Sequence, residues 1–209
     1  MTLQATRLAC IRGERQLFDG VDIEVGPGEA LWVQGRNGSG KTSLLRLLCG
    51  LAEPAHGEVR WRGRNIRRLR EDFHRELLYI GHASGIKDDL TPCENLLISA
   101  RLSGRRSRRE HAERALERMG LARVAHVSAR RLSQGQRRRV ALAALLLEPA
   151  PRLLVLDEPF TALDAEATSQ LGATLEQHAA DGSVVVYTTH QPLALRARRL
   201  HQLALGRSC

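Results

Sequence analysis

A glycine-rich octapeptide stands early in the chain: Gly35-Arg36-Asn37-Gly38-Ser39-Gly40-Lys41-Thr42. It fits the pattern GxxxxGK[ST], whose glycines let the backbone wrap around a phosphate with its N–H groups pointing inward. In such a loop Lys41 reaches the β- and γ-phosphates of a nucleotide, and Thr42 offers its hydroxyl to Mg²⁺. Lys41 is one of only two lysines among 32 basic residues, which indicates that a compact ammonium is needed here.

The segments around this octapeptide predict a strand before it and a helix after it. Residues 29–34 form an apolar run typical of a buried strand, and residues 42–48 have helical periodicity that stops at Gly50. A phosphate loop requires this order, because the helix N-terminus adds a favourable dipole for the anion. The octapeptide is therefore predicted to bind phosphate and not to be an ordinary glycine-rich turn.

The rest of the sequence predicts one α/β domain with a helical insertion. Residues 3–11 and 21–25 alternate like half-exposed antiparallel strands. A portion from about 85 to 130 is helical in pattern, with its best segments at 94–102 and 108–119. Strands and helices then alternate as in a parallel sheet, with a helix over 135–147, a strand over 153–156, a helix after Asp164 and a strand over 184–187.

Two adjacent acidic residues, Asp157 and Glu158, end the predicted strand at 153–156. Neighbouring carboxylates repel each other unless a cation lies nearby, and Mg²⁺ would be that cation. In this interpretation Asp157 holds the metal, directly or through water, and Glu158 polarises the attacking water as a general base. The alternative from these residues alone is a strand end capped by solvated acids.

A third motif, Leu132-Ser133-Gln134-Gly135-Gln136, opens a predicted helix whose N-terminal N–H groups can bind an anion. Together with the octapeptide, the acid pair and His190, in this order, it resembles the ABC (ATP-binding cassette) ATPase family, whose signature is LSGGQ. The resemblance covers essentially the whole chain, and the family tolerates Gln134 in place of Gly.

This resemblance implies a P-loop NTPase fold and the cofactors ATP and Mg²⁺. It implies a single domain over 1–209 with a mixed RecA-like core sheet, antiparallel N-terminal strands and an inserted helical subdomain at about 85–135. Thr42 and Asp157 would bind Mg²⁺, and Glu158 and His190 would be catalytic, with His190 as the switch histidine on the γ-phosphate. The residues that would bind ATP are those of the octapeptide: Gly35, Arg36, Asn37, Gly38, Ser39, Gly40, Lys41 and Thr42.

The family resemblance also implies that two protomers share each active site in a homodimer. Ser133, Gly135 and Gln136 would contact ATP held by the other protomer. Asp164, in the loop Ala162-Leu163-Asp164, would join them there and link the two sites. A single protomer would then be incomplete as an enzyme.

Two positions depart from the family pattern. Many members stack an aromatic ring on adenine near position 12, where this chain has Arg12, whose guanidinium can stack on a purine. After the predicted strand 77–80 the family has a glutamine that joins the metal site to the membrane partner, and this chain has His82. A neutral imidazole offers one nitrogen acceptor, so His82 either completes the Mg²⁺ site or is an ordinary hydrogen-bonded residue away from it.

The amino-acid composition limits the kinds of molecule that the protein is expected to bind. The net charge of +9 suggests nucleic acid or an acidic membrane, but 30 of the basic residues are arginines and only 3% of residues are aromatic. The basic clusters at 60–75 and 101–109 are therefore interpreted as solvated faces or surfaces near lipid head groups, with no nucleic-acid partner.

Four scattered cysteines indicate neither a zinc nor a covalent haem site. With no secretory signal and no apolar run near ~18 residues, a cytoplasmic chain is expected.

Several short segments narrow the resemblance to the ATP-binding subunits of bacterial cytochrome c maturation, often described as haem exporters. They are Tyr79-Ile80-Gly81-His82, the stretch 85–91, Glu94-Asn95-Leu96 and the opening 10–15. The resemblance implies small integral membrane partner subunits, a peripheral location on the cytoplasmic face of the inner membrane, and hydrolysis that frees a haem-loaded chaperone. The eight histidines are scattered, so no direct haem binding is expected.

Other functions stay open at this point. The catalytic motifs fit an exporter ATPase for a lipid, a drug or another substrate equally well. A soluble ABC protein acting on nucleic acid or ribosomes usually has two cassettes or a long coiled-coil insertion, and this sequence has neither. A non-catalytic regulatory module is disfavoured by Glu158 and His190 together.

Overall fold

The computed structural model describes residues 1–105 and 107–206. Its strands are β1 (Leu3–Arg12), β2 (Arg15–Val25), β3 (Glu29–Gln34), β4 (His56–Trp61), β5 (Arg64–Asn65), β6 (Leu77–Ile80), β7 (Leu153–Leu156), β8 (Val184–Thr188) and β9 (Arg199–Ala204). Its helices are α1 (Lys41–Leu48), α2 (Ile66–Leu69), α3 (Glu71–Glu76), α4 (Pro92–Leu102), α5 (Arg109–Arg118), α6 (Gln134–Ala143) and α7 (Ala165–Ala180). Short 3₁₀ turns lie at Ala122–Val124, Ala129–Arg131 and Ala144–Leu146.

Five parallel strands in the order β6-β7-β8-β3-β9 form the central sheet. The strands β7 and β8 are fully buried and apolar apart from Thr188, as strands covered on both faces must be. The side chains of β7 alternate between two cores. Leu153 and Val155 pack with α1 on one face, whereas Leu154 and Leu156 pack with α4 to α7 on the other. The C-terminal ends of the parallel strands meet at one edge, where ligands bind in such sheets.

A second sheet, antiparallel and ordered β2-β1-β4-β5, shares the core around α1. The predicted antiparallel N-terminal strands thus form a sheet of their own beside the parallel one. In the part of the chain that the structure describes, no helix has both the length and the hydropathy that crossing a bilayer requires.

The predicted strands and helices are confirmed, with changes at their ends. The helix expected over 135–147 is shorter: α6 ends at Ala143, and the chain tightens into a 3₁₀ turn, which satisfies the last carbonyl groups of a helix. The strands β4 and β9 were not predicted, because charged and polar residues interrupt their apolar pattern. The thiols of Cys10, Cys49 and Cys93 are free and buried, and Cys209 lies outside the described residues.

Glu29, at the start of β3, fastens the edge strand β9 to the sheet. Its carboxylate accepts hydrogen bonds from the backbone N–H of Gly26 and from His201 Nε2, both at 2.9 Å, and from Arg198 at 3.2 Å. The Gly26 hydrogen bond, followed by those from His201 and Arg198, lowers the pKa of Glu29 from 4.5 to about 2. The ionised carboxylate is therefore the form that the fold stabilises.

We expect the Glu29 contribution to stability to be lost in acid. A carboxyl group whose pKa is lower in the folded state stabilises the fold above its unfolded value of 4.5, and this contribution disappears as pH falls towards about 2. The free energy of unfolding of wild type should exceed that of Glu29→Gln at pH 6, and the difference should shrink between pH 4.5 and 2. Urea unfolding of both proteins measures this, and a difference that stays constant over the range would contradict it.

Candidate functional site

The octapeptide forms a tight loop between β3 and α1, packed so closely that two of its glycines leave no room for a side chain. A Cβ atom on Gly35 would lie 2.5 Å from Ser39 Oγ and 2.7 Å from the carbonyl oxygen of Leu205. Gly40 has φ 98°, and a Cβ atom there would approach the ring of Phe18 at 3.1 Å. The close backbone turn that the pattern predicted is present.

The loop gathers groups that suit an anion. Lys41, the first residue of α1, is only 8% exposed, and its ammonium donates hydrogen bonds to the carbonyl oxygens of Gly35 at 2.8 Å and Arg36 at 3.3 Å. No described side chain caps the N-terminus of α1, so its first N–H groups are available. Ser39 Oγ is buried and has no hydrogen-bond partner among the described residues. An ammonium, helix N–H groups and a hydroxyl thus lie in one loop.

Thr42 and Asp157 meet beside this loop although 115 residues separate them in the sequence. The Thr42 hydroxyl donates to Asp157 Oδ2 at 2.7 Å, and Asp157 is only 1% exposed. Mg²⁺ prefers such hard oxygen ligands and usually shares them with phosphate oxygens and water. Within residues 1–105 and 107–206, no group of three or more His, Cys, Asp or Glu side chains could hold a metal ion. Thr42 and Asp157 supply two oxygen ligands of this kind, so their chemistry fits Mg²⁺ that also binds a phosphate.

Glu158 lies next to Asp157 and faces His190. Glu158 Oε1 is 3.3 Å from His190 Nε2, and the Glu158 side chain is 12% exposed against 56% for His190. This oxygen is buried and has no hydrogen-bond partner in the described part of the chain. A buried carboxylate oxygen without a hydrogen-bond donor is unfavourable. Glu158 Oε1 would therefore gain from a hydrogen bond donated by a water molecule or by His190.

Ser133 and Gln136, in the motif at 132–136, hydrogen-bond to each other at the start of α6. The Ser133 hydroxyl accepts a hydrogen bond from the Gln136 backbone N–H at 3.2 Å, and the Gln136 side chain accepts one from the Ser133 N–H at 2.9 Å. Gly135 lies against the carbonyl oxygen of Ala162, which a Cβ atom would meet at 3.2 Å. Asp164 caps the first turn of α7. None of these side chains hydrogen-bonds to the octapeptide within the described chain.

The two positions that depart from the family pattern are both exposed. His82 follows β6, the strand beside β7, and makes no hydrogen bond or ion pair with another described residue. The structure therefore does not join His82 to the metal-site residues. Arg12 ends β1 opposite Arg15, at a hairpin whose Phe18 packs on Gly40. Arg12 thus belongs to the hairpin that borders the phosphate loop.

Two residues of the site were missed by the sequence analysis. Arg138 of α6 donates hydrogen bonds to backbone carbonyls after β6 and β7, and the Thr188 hydroxyl donates to Asp157 Oδ1 at 2.9 Å. The sequence does not single out Arg138. It stands in a run of three arginines, and the apolar stretch that follows, 140–147, is unbroken, so helical spacing gives all three arginines apolar neighbours.

Known proteins resemble this chain in sequence and in fold. Residues 18–161 match the family described as ABC transporter. The cytochrome c biogenesis ATP-binding export protein CcmA of Aromatoleum aromaticum is 54% identical, over 90% of this chain and 88% of that protein. The protein of the same name from Nitrosomonas europaea is 50% identical, over 98% of this chain and 95% of its own length. A solved dimeric ATP-binding cassette bound to ADP and phosphate has the same fold, with a TM-score of 0.84 at 24% identity over 98% of this chain and 97% of that one.

Proposed function

Because the chain belongs to the ABC transporter family, and within it to the cytochrome c biogenesis ATP-binding export proteins, we propose that it hydrolyses ATP to drive an export step in c-type cytochrome biogenesis. One observation carries the enzymatic part. Thr42, Asp157, Glu158 and His190 come from three separate elements and meet at one edge of the parallel sheet.

The octapeptide holds the phosphates of ATP in this proposal. Lys41 moves its ammonium from the loop carbonyls to the β- and γ-phosphates, and the N–H groups of the loop and of α1 bind the phosphate oxygens. The orphaned Ser39 hydroxyl gains a partner in the same way. Arg12, at the hairpin beside the loop, stacks its guanidinium on the adenine ring.

Glu158 acts as the general base for hydrolysis. The oxygen of a water molecule attacks the γ-phosphorus, and Glu158 takes the proton that this water loses. The bond from the γ-phosphorus to the oxygen that bridges it to ADP breaks, and its electron pair leaves with ADP, so ADP and phosphate are the products. His190, 3.3 Å from Glu158, stabilises the charge that develops on the γ-phosphate oxygens.

Thr42 and Asp157 are the residues that would hold Mg²⁺, which would supply positive charge to the β- and γ-phosphate oxygens. Their oxygen atoms suit that ion, and they already lie within hydrogen-bond distance of each other. His82 forms no hydrogen bond or ion pair with either residue in the described chain, so a place in the Mg²⁺ site and a hydrogen-bonded place away from it both stay predictions.

Two copies of the chain complete each site. Ser133, Gly135, Gln136 and Asp164 reach the ATP that the second protomer holds, as the resemblance to ABC ATPases implies, and their recorded bonds only cap the helices on which they lie. The solved cassette of the same fold is dimeric, which supports this arrangement. Integral membrane subunits bind the dimer at the cytoplasmic face of the inner membrane, and ATP hydrolysis drives either the export of haem or the release of a haem-loaded chaperone.

Deletion of this gene in its native host should abolish c-type cytochromes. A plasmid copy of the wild type should restore them, measured by haem staining of membrane proteins on denaturing gels. Glu158→Gln should not restore them, whereas the surface variant Glu71→Gln should, because Glu71 is exposed and forms only an ion pair on its own helix. Tagged wild-type protein from detergent-solubilised membranes should bring down small integral membrane proteins.

Two outcomes would contradict parts of this proposal separately. If purified wild type hydrolyses ATP but the deletion strain has normal c-type cytochromes, the result would favour an exporter ATPase for a lipid, a drug or another substrate. Purified wild type without ATPase activity, alone and with its membrane partners, would contradict the enzymatic function itself.

A further inference from the structure

The backbone of Glu158 is strained. It has φ 50°, in the left-handed region that residues with a side chain adopt at a cost. A non-glycine residue keeps such a conformation only where its surroundings hold it there. Glu158 carries the orphaned buried carboxylate oxygen that faces His190, so the strained backbone also aims this oxygen.

Arg138 holds this strained segment from the side of α6. The guanidinium donates hydrogen bonds to the carbonyl oxygens of Asp157 at 2.8 Å and Glu158 at 2.9 Å. It donates a third, at 2.7 Å, to the carbonyl oxygen of Gly81 in the loop after β6. Arg138 is only 6% exposed and has no ion-pair partner among the described residues, so its recorded bonds all go to backbone carbonyls. Burial lowers its pKa, while the carboxylates of Asp157 and Glu158 oppose that shift.

Thr188 holds the same segment from the side of β8. Its hydroxyl accepts a hydrogen bond from the Glu158 backbone N–H at 2.8 Å and donates one to Asp157 Oδ1 at 2.9 Å. Thr188 is fully buried at the end of β8, so water cannot substitute for it without rearrangement. Thr188 at the end of β8 thus binds the backbone N–H of Glu158, and Arg138 of α6 binds its carbonyl oxygen.

We propose that Arg138 and Thr188 are positioning residues that hold Glu158 in its strained backbone conformation and so aim its carboxylate at the attacking water. This proposal rests on the hydrolytic function above and names two residues through which it works. Arg138 belongs to the helix that begins at Ser133, and it also binds the loop that leads to His82. A shift of α6 when a second protomer docks would therefore reach Glu158 and that loop through one side chain.

The test compares four variants in steady-state ATPase assays of the complete chain with its membrane partners. Arg138→Met removes all three carbonyl bonds, Arg138→Lys keeps the charge without the planar fork, and Thr188→Val keeps the shape without the hydroxyl. Arg137→Met is the control on the same helix. It breaks an ion pair with Asp88 and a long hydrogen bond to the carbonyl oxygen of Leu132, but Arg137 has no recorded bond to Asp157 or Glu158. ATP affinity, Mg²⁺ requirement and thermal unfolding are measured for each.

We expect kcat to fall by about 30-fold in Arg138→Met and by about 10-fold in Thr188→Val, with ATP affinity within about threefold of wild type. Arg138→Lys should lose nearly as much as Arg138→Met, because one ammonium cannot reach three carbonyl oxygens in two loops. Arg137→Met should stay within about twofold of wild type. In a Glu158→Gln background, adding Arg138→Met should lower single-turnover hydrolysis by less than about twofold, because the base it aims is already gone.

Three results would overturn the proposal. None of them contradicts the hydrolytic function as long as the wild type hydrolyses ATP. One is wild-type kcat in Arg138→Lys, which would mean that charge alone matters. Another is an undiminished effect of Arg138→Met in the Glu158→Gln background. The third is a crystal structure of Arg138→Met in which Glu158 keeps its left-handed backbone. Thr188→Val gives an independent test should Arg138→Met not fold, and wild-type kcat in that variant would also refute the role assigned to Thr188.

Discussion

Replacing Glu158 with glutamine should leave ATP bound but slow its hydrolysis by a factor of about 10² to 10⁴, the usual loss when a general base is removed. The amide keeps the shape of the side chain in a site where Glu158 is 12% exposed, so the fold should not change. It cannot take a proton from water at neutral pH. The buried Oε1, 3.3 Å from His190, is the atom whose basicity is lost.

The slow variant should also reveal the shared site. If Ser133 and Gly135 bind ATP held by the other protomer, unhydrolysed ATP bridges two chains, and Glu158→Gln with ATP and Mg²⁺ should elute as a dimer in size exclusion. ATPase assays and light scattering measure both effects, with Glu71→Gln as a surface control. Turnover at the wild-type rate would remove Glu158 from the mechanism. A monomer under all conditions, with and without membrane partners, would contradict the shared site.

The edge of the sheet that carries this chemistry was predictable because each part has a local signature. The phosphate loop and the acid pair lie directly after apolar strands, and parallel strands bring their C-terminal ends together. The loop pattern assigned Thr42 to Mg²⁺ and the acid pair assigned Asp157 to it, and the Thr42 hydroxyl lies 2.7 Å from Asp157 Oδ2.

The supports of the site were not predictable in the same way, because they join segments distant in the chain. Arg138 binds the carbonyl of Gly81, 57 residues away, and its neighbours Arg137 and Arg139 look identical to it in a composition-based reading. Glu29 binds His201 across 172 residues, and the strand that carries His201 has too few apolar residues to be recognised. Such contacts depend on the tertiary fold and leave no periodic pattern in the sequence.

The role of the basic cluster at 60–75 also depends on contacts that the sequence does not reveal. In the segment 60–75, Arg60, Arg62 and Arg67 each pair with a glutamate, and the pairs are partly exposed. Exposed pairs of this kind contribute about 0–1 kcal/mol each to stability and partly cancel the local field. This supports the interpretation of that cluster as a solvated face and weakens the case for a nucleic-acid partner that the net charge of +9 suggested.

Lys41→Ala should abolish nucleotide binding, with affinity for ATP reduced by more than about 100-fold. The ammonium is the buried charge of the octapeptide, so alanine would take the charged donor away from the phosphates. In the nucleotide-free chain it would also remove the donor to the carbonyl oxygens of Gly35 and Arg36. Lys41→Arg should fail as well, because a larger, planar guanidinium would replace a compact ammonium that is only 8% exposed.

The chain offers a matched control in Lys87, its second lysine, which is exposed. Its recorded hydrogen bonds, two with Asn95 and one with Leu90, use only the backbone atoms of the lysine. Lys87→Ala should bind ATP as wild type does in isothermal titration calorimetry, and all three variants should show wild-type circular dichroism. Because Lys41→Arg preserves charge and Lys87→Ala removes it elsewhere, together they separate loss of the ammonium in the loop from a change in net charge. ATP binding by Lys41→Ala at wild-type affinity would show that the octapeptide does not hold the phosphates.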